Sequence, residues 1–403
     1  MSAFEKLSLL SYLNGEEELL KMDQNKDVSV SSVEALALLA GLSFHERKRK
    51  MFFLFPSIYE AERFLQFLGD YVEEDETYMF PYDEIFRTSA IGASPEMNEE
   101  RLLALSSVIS SKPSILVSHA SASMLNIIDK RTYTSQLITL RNEDMFSLSS
   151  LIEKITNLGY LSVDRVSGSG QYSLRGCILD IYDPSYSDPL RIEFFGDEID
   201  DIRMFKVNDE RSYNHLREAV IHPASLRLLT KAQIEEGENR IAEELKEMEA
   251  NISRLNYDDL SERTARLIQK VRRGYLDEID ARFYPLFSKE QNTLLSYLED
   301  YDCYVFEAKE TISQAKNALK KEKEYFSSSY KEGTSLSSER VFVESPLNLS
   351  TFSLAKRDVD QGFFVRDNSL HAISYAESHL MLKEYLKEGY KVRIILPEPN
   401  LSN

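Results

Sequence analysis

The sequence predicts an α/β protein in which a parallel-sheet domain is split by a small inserted α+β domain and followed by part of a second α/β domain. Three observations predict this. Helical and strand-like segments alternate over residues 1–125, the order that gives a parallel sheet covered by helices. Four short strands separated by turns crowd residues 160–206. The last stretch, "SYAESHLMLKEYLKEGYKVRIILPEPNLSN", reads as a helix, a Gly turn and a strand, after which the chain stops where another helix should follow.

Taken in order, "SSVEALALLAGL" is a helix, "KMFFLF" a short buried strand and "SIYEAERFLQFLGDY" an amphipathic helix. The strand "TYMF", an acidic connection, the helix "NEERLLALSSVISS" and the strand "SILVSH" complete the first part, residues 1–125. Residues 126–215 form the inserted domain: "SQLITL" is strand-like, "SLSSLIEKITNLGY" helical, and strands are expected at 160–166, 177–182, 190–195 and 199–206. Residues 216–345 continue the first domain as a helix-rich region. There Ile234, Ile241, Leu245, Met248, Ile252 and Leu255 draw one apolar stripe on a single long helix. The strand "DCYVFEA", a helix near 308–325 and a loop "SSSYKEGTSLSSER" follow, and residues 346–403 make the partial second α/β domain.

A length of 403 residues suits two to four domains. No apolar run reaches membrane-spanning length, and the start lacks the basic and apolar regions of a signal peptide. Two distant cysteines, Cys177 and Cys303, are expected as reduced thiols in a cytoplasmic protein. The balance of 48 Lys+Arg against 67 Asp+Glu, net charge −19, argues against a continuous DNA channel on this chain, because nucleic-acid affinity comes largely from neutralising phosphates.

Motifs for chemistry are absent. A P-loop, G-x-x-x-x-G-K-[ST], is expected before the first helix, where the chain reads "KDVSVSSVEALALL", and no other position fits. The six histidines have no close ligand spacing and the cysteines form no C-x-x-C, so neither a metal nor a cofactor is expected. Acidic clusters such as "YVEEDETY" read as solvated faces, and no G-x-S-x-G elbow occurs.

The informative stretch is "GQYSLRGCILDIYDP", residues 170–184, a Gly-flanked turn before an apolar strand, followed by "LRIEFFGDEIDDIRMF". Side chains alternate along a strand, so Ile192 and Phe194 share one face and Arg191, Glu193 and Phe195 the other. In the preceding strand, Cys177, Leu179 and Ile181 make an apolar face and Ile178, Asp180 and Tyr182 a mixed one, with Arg175 at its mouth. Exposed Arg and Phe would make a protein-docking hot spot. A sheet covered on both faces would instead make Phe195 core and Arg191 a capping ion pair. Alternation leaves both readings open.

The run "GYLSVDRVSGSGQYSLRGCILDIY…PLRIEFFGDEIDDIRMFKVNDERS…IHPAS" resembles the module shared by UvrB and the transcription-repair coupling factors (Mfd). "FPYDEIF…SPEMNEERLLAL" adds to the resemblance, which covers residues 30–230 well. An intact P-loop and an aromatic-rich β-hairpin, features of UvrB, are missing; the decayed nucleotide site resembles Mfd. The resemblance implies a degenerate helicase-like fold for the first domain and an N-terminal fragment of a longer factor. A domain binding RNA polymerase and an ATP-consuming motor acting on double-stranded DNA would lie beyond residue 403. It further implies that the small domain binds UvrA through Arg175, Arg191 and Phe195, so that mutating any of them weakens binding without unfolding, and that the chain itself catalyses nothing. The competing readings are a DNA-dependent ATPase with an atypical nucleotide site and an acidic structural protein.

Overall fold

The structure, a computed structural model, describes residues 16–83, 94–273, 276, 278–344 and 347–358, with single helical positions at Lys383 and Lys387. In chain order the first elements are α1 (Glu16–Asp23), β1 (Val28–Val30), α2 (Val33–Arg47), β2 (Met51–Phe55), α3 (Ile58–Leu68), β3 (Thr77–Phe80), α4 (Pro95–Ile109) and β4 (Ile115–His119). Then come α5 (Lys130–Ser135), β5 (Ile138–Arg141), α6 (Leu148–Asn157), β6 (Leu161–Ser162), β7 (Gln171–Arg175), β8 (Ile178–Tyr182), β9 (Leu190–Phe195), β10 (Glu198–Phe205), β11 (Ser212–Leu216) and β12 (Glu218–Ile221). The chain continues through α7 (Lys231–Met248), α8 (Arg254–Arg272), α9 (Tyr284–Phe287), β13 (Asp302–Phe306), α10 (Ala308–Lys331) and β14 (Ser353–Arg357).

The α/β expectation is met: a six-stranded sheet in the order β1-β14-β13-β2-β4-β3 is parallel at every pairing. Strand β2 shows why such a sheet is covered on both sides. Phe52 and Leu54 enter one core with Leu102, Leu105 and Phe326, whereas Phe53 and Phe55 enter another with Leu36, Leu39 and Phe64. Helices α2 and α3 are started by Ser32 and Ser57, whose hydroxyls each accept a backbone N–H three residues on.

Between β4 and β13 the chain leaves this sheet. β5 and β12 pair antiparallel, Ile138 opposite Ile221, so the segment between them is closed at its stem. Within it, a second six-stranded sheet runs β11-β10-β9-β8-β7-β6, antiparallel except for the short β6–β7 pair. One face packs Leu179, Ile181, Leu190, Ile192 and Phe194 against Leu151 and Ile155 of α6. At the stem, the Tyr160 hydroxyl donates to Asp183 Oδ2 at 2.9 Å, and the His222 backbone N–H donates to the same oxygen at 2.5 Å.

Several elements differ from expectation. The stripe from Ile234 to Leu255 spans two helices, because α7 ends at Met248 and Ser253 caps α8; Leu255 is exposed. α7 and α8 lie antiparallel, with Arg272 at the end of α8 donating two 2.6 Å bonds to Glu238 in the first half of α7. Residues 327–331, expected in a loop, continue α10. "QYSLR", expected as a turn, is strand β7. β14, within the stretch assigned to a second domain, sits between β1 and β13 in the first sheet. The closing helix, turn and strand expected at 374–403 lie outside the described residues, Lys383 and Lys387 excepted. Among the described residues no helix is long and apolar enough to cross a membrane, and no group of His, Cys, Asp and Glu could hold a metal ion.

Candidate docking face on the inserted sheet

Cross-strand pairing aligns the residues of interest. Arg175 lies opposite Ile178, Ile178 opposite Glu193, and Glu193 opposite Asp201; Asp180 lies opposite Arg191, and Arg191 opposite Arg203. Partners across a ladder share a face, so Arg175, Asp180, Arg191, Glu193 and Arg203 project from the side away from the apolar core. Two hairpin turns lie at one end of this face: Gly176-Cys177 joins β7 to β8, and Gly196-Asp197 joins β9 to β10. Each has a glycine at its first position with φ near +65°, at 63° and 67°, as a two-residue turn matched to strand twist requires. A Cβ at either glycine would meet nothing within 4 Å, so backbone conformation, not space, calls for glycine there.

Asp180 organises the face. Its carboxylate is buried, its side chain 2% exposed. It accepts a bidentate pair from Arg191, Nε to Oδ1 at 2.7 Å and Nη2 to Oδ2 at 2.9 Å. Arg175 Nη2 adds a third bond to Oδ2 at 2.5 Å. Charged donors in this fork geometry make strong hydrogen bonds. They raise the pKa of the Arg191 guanidinium, chiefly through the hydrogen bond to Asp180. Arg191 also stacks on the Phe205 ring, 4.3 Å from its centroid, and its side chain is only 11% exposed. Arg175, with 38% of its side chain exposed, is far more open. Beyond them, Arg203 pairs with Glu193 and with Asp201 at 2.6 Å.

The two readings left open by alternation each hold for one residue. Phe195 is 81% exposed, so it is a presented aromatic and not core. Arg191 is held down by an ion pair and a ring, so the expectation of an exposed arginine is corrected at that position. Asp180, expected on a mixed face, is buried by the two guanidiniums that cover it.

Two neighbours of this face escape a reading by strand alternation. Met145 bridges to Glu198, which pairs with Phe195, so all three stand in one row; Met145 is 71% exposed. No local pattern in "RNEDMF" signals that placement. Glu210, in the loop after β10, brings a carboxylate over both arginines: Oε2 lies 3.9 Å from Arg175 Nη1 and 4.0 Å from Arg191 Nη2.

A large exposed aromatic beside partly satisfied guanidiniums is suited to binding a protein surface that offers carboxylates and an apolar recess. Comparison with known proteins bears on which surface. A family model described as the UvrB interaction domain matches residues 138–226, from the first residue of β5 to just beyond β12. The chain is similar to the transcription-repair-coupling factor of Bacillus subtilis (strain 168), 25% identical over 362 residues, which covers 87% of this chain and 30% of that protein. The factor of Staphylococcus haemolyticus is 25% identical over 321 residues, 78% of this chain and 27% of its own length. That of Staphylococcus epidermidis (strain RP62A) is 23% identical over 329 residues, 80% and 28% respectively. The chain thus spans under a third of the length of these relatives, and its inserted segment is the part that the UvrB interaction domain model matches.

Proposed function

We propose that this chain acts in transcription-coupled nucleotide excision repair as the UvrB-like part of a transcription-repair coupling factor, recruiting UvrA through the outer face of the inserted sheet. Arg175 and Arg191 supply charge-assisted hydrogen bonds to acidic groups of UvrA, and Phe195 supplies the apolar anchor. The chain binds and catalyses nothing itself, and it holds no cofactor. RNA polymerase, double-stranded DNA and ATP belong in this proposal to other regions of the full-length factor.

One observation carries the reading: Phe195 is 81% exposed beside the Arg175–Asp180–Arg191 cluster, inside the stretch matched by the UvrB interaction domain. An aromatic left so open contributes nothing to the core, so burial against a partner is where it gains free energy.

The test is a titration of UvrA from the same organism against the wild-type chain and Phe195→Ala, with circular dichroism of both. Phe195 makes no core contact, so the variant should fold as the wild type does. Loss of a hot-spot aromatic costs about 2 kcal/mol or more, roughly a thirtyfold rise in Kd. Equal Kd values for the two folded proteins would remove Phe195 from the interface and the proposal with it.

A further inference from the structure

We propose that the docking face is capped by its own carboxylate: Glu210 occupies the place that an acidic group of the partner must take, and binding displaces it. The inference rests on the recruiting role proposed above and concerns how that face is opened.

Arg191 spends Nε and Nη2 on Asp180, and Arg175 spends Nη2 on it. Among the described residues, Nη1 of each guanidinium and Nε of Arg175 make no hydrogen bond. Glu210 Oε2 sits before both arginines at 3.9 and 4.0 Å, near enough for charge attraction and too far for a hydrogen bond. Its other oxygen lies 2.9 Å from Arg165 Nε but makes no hydrogen bond to it, so that contact too is charge attraction alone. A carboxylate placed about 1 Å closer to the arginines would make the bonds that Glu210 does not. Glu210 has somewhere to go, because Arg165 is largely exposed and can keep the pair as the loop swings out.

The loop is built to hold this position. It closes the β10–β11 hairpin through the Lys206 N–H on the Arg211 carbonyl at 3.0 Å and the Glu210 N–H on the Lys206 carbonyl at 2.9 Å. Glu210 itself adopts φ +55°, a left-handed conformation that a glutamate rarely takes. The neighbouring Asp209 pairs at 3.5 Å with the exposed Arg211 instead.

The experiment compares UvrA affinity for the wild type, Glu210→Gln and Asp209→Asn, with Phe195→Ala as the control for the face itself. Both loop variants remove one negative charge, but only Glu210→Gln removes the carboxylate over the arginines. Glu210 is partly exposed and holds the arginines by charge alone, without a hydrogen bond, so uncapping should tighten binding roughly two- to fivefold, with less change for Asp209→Asn. Affinity unchanged or weakened in Glu210→Gln, while Phe195→Ala still binds roughly thirtyfold more weakly than the wild type, overturns the cap and leaves the recruiting role standing. An equal gain in both loop variants also overturns it, showing overall charge to be the cause. Absence of binding by the wild type and by Glu210→Gln removes the recruiting role and the cap together.

Discussion

Arg191 and Arg175 share a carboxylate but stand in different surroundings, and that separates what their loss should do. Arg191 is nearly buried, bidentate on Asp180 and stacked on Phe205. Removing it leaves the buried Asp180 with one partly exposed partner, and breaking a buried pair from one side costs on the order of 3 kcal/mol. Arg175 is more open, and its loss leaves the bidentate pair intact, so about 1 kcal/mol is expected. Urea unfolding should therefore rank Arg191→Ala well below Arg175→Ala in stability. Equal midpoints would mean that Asp180 does not depend on its bidentate partner. Arg191 is therefore the position at which the expectation that each of the three residues can be truncated without unfolding is most severely tested. At this scale the sequence shows one signal plainly: alternation puts Arg191 and Phe195 on one face. It does not show that Asp180, the lone acid in "ILDI", pulls Arg191 down while Phe195 stays out. Side chains on one face differ in burial according to what crosses them, and Glu210 and Phe205 come from strands and loops whose register no local pattern fixes.

Glycines mislead and inform together at the scale of elements. The stretch "GQYSLRG" looks like a turn because glycine stands at both ends, yet five residues between them suffice for β7. The turn residues are Gly176-Cys177, and their counterpart Gly196-Asp197 directly follows Phe195. With φ near +65° and open space at Cβ, Gly196→Ala suffers from conformation alone, about 1–2 kcal/mol. Asn tolerates the left-handed region better than Ala. Unfolding free energies should fall in the order wild type, Gly196→Asn, Gly196→Ala. A Gly196→Asn no better than Gly196→Ala would show that space and not φ is limiting. The helix-rich region was less legible for a related reason. The apolar period runs on through "EANISRL" although the chain breaks there, because Ile252 packs with the α7–α8 core while the Ser253 hydroxyl starts a new helix by accepting the Asn256 N–H. The serines of 327–329 are weak helix formers, but they lie beyond the buried Phe326, and α8 grips the turn after them through Asn256 on the Glu332 carbonyl and Arg263 on that of Thr334. Tertiary contact decides both cases.

For the whole molecule, the alternation of helix and strand was enough to predict the parallel sheet, but not that β14 returns to it from position 353. Such long-range pairings leave no local trace. The same sheet bears on whether the chain binds nucleotide. Open parallel sheets bind phosphates where strands pass into helices at their C-terminal edge, using glycine-rich loops and free helix N-termini. Here β1 reaches α2 through two residues, Ser31 and Ser32, and β2 reaches α3 through Pro56 and Ser57. β13 reaches α10 through Glu307 alone. Connections this short have no slack to wrap a phosphate. Ser32 and Ser57 each already engage one of the backbone donors that an anion would use, and Glu34, Glu60 and Glu310 put negative charge in each first turn. Glu34 is further tied to Arg63, which neutralises it without freeing the site. ATP with magnesium should therefore leave the melting temperature of the chain unchanged at millimolar concentration. A ligand with a Kd a hundredfold below its concentration would add about 2.7 kcal/mol and raise that temperature measurably. A clear upward shift would put a nucleotide site back on this sheet and favour an ATPase over a recruiting module, whereas a flat response alongside tight, Phe195-dependent binding of UvrA would leave the inserted sheet as the part of the chain that acts.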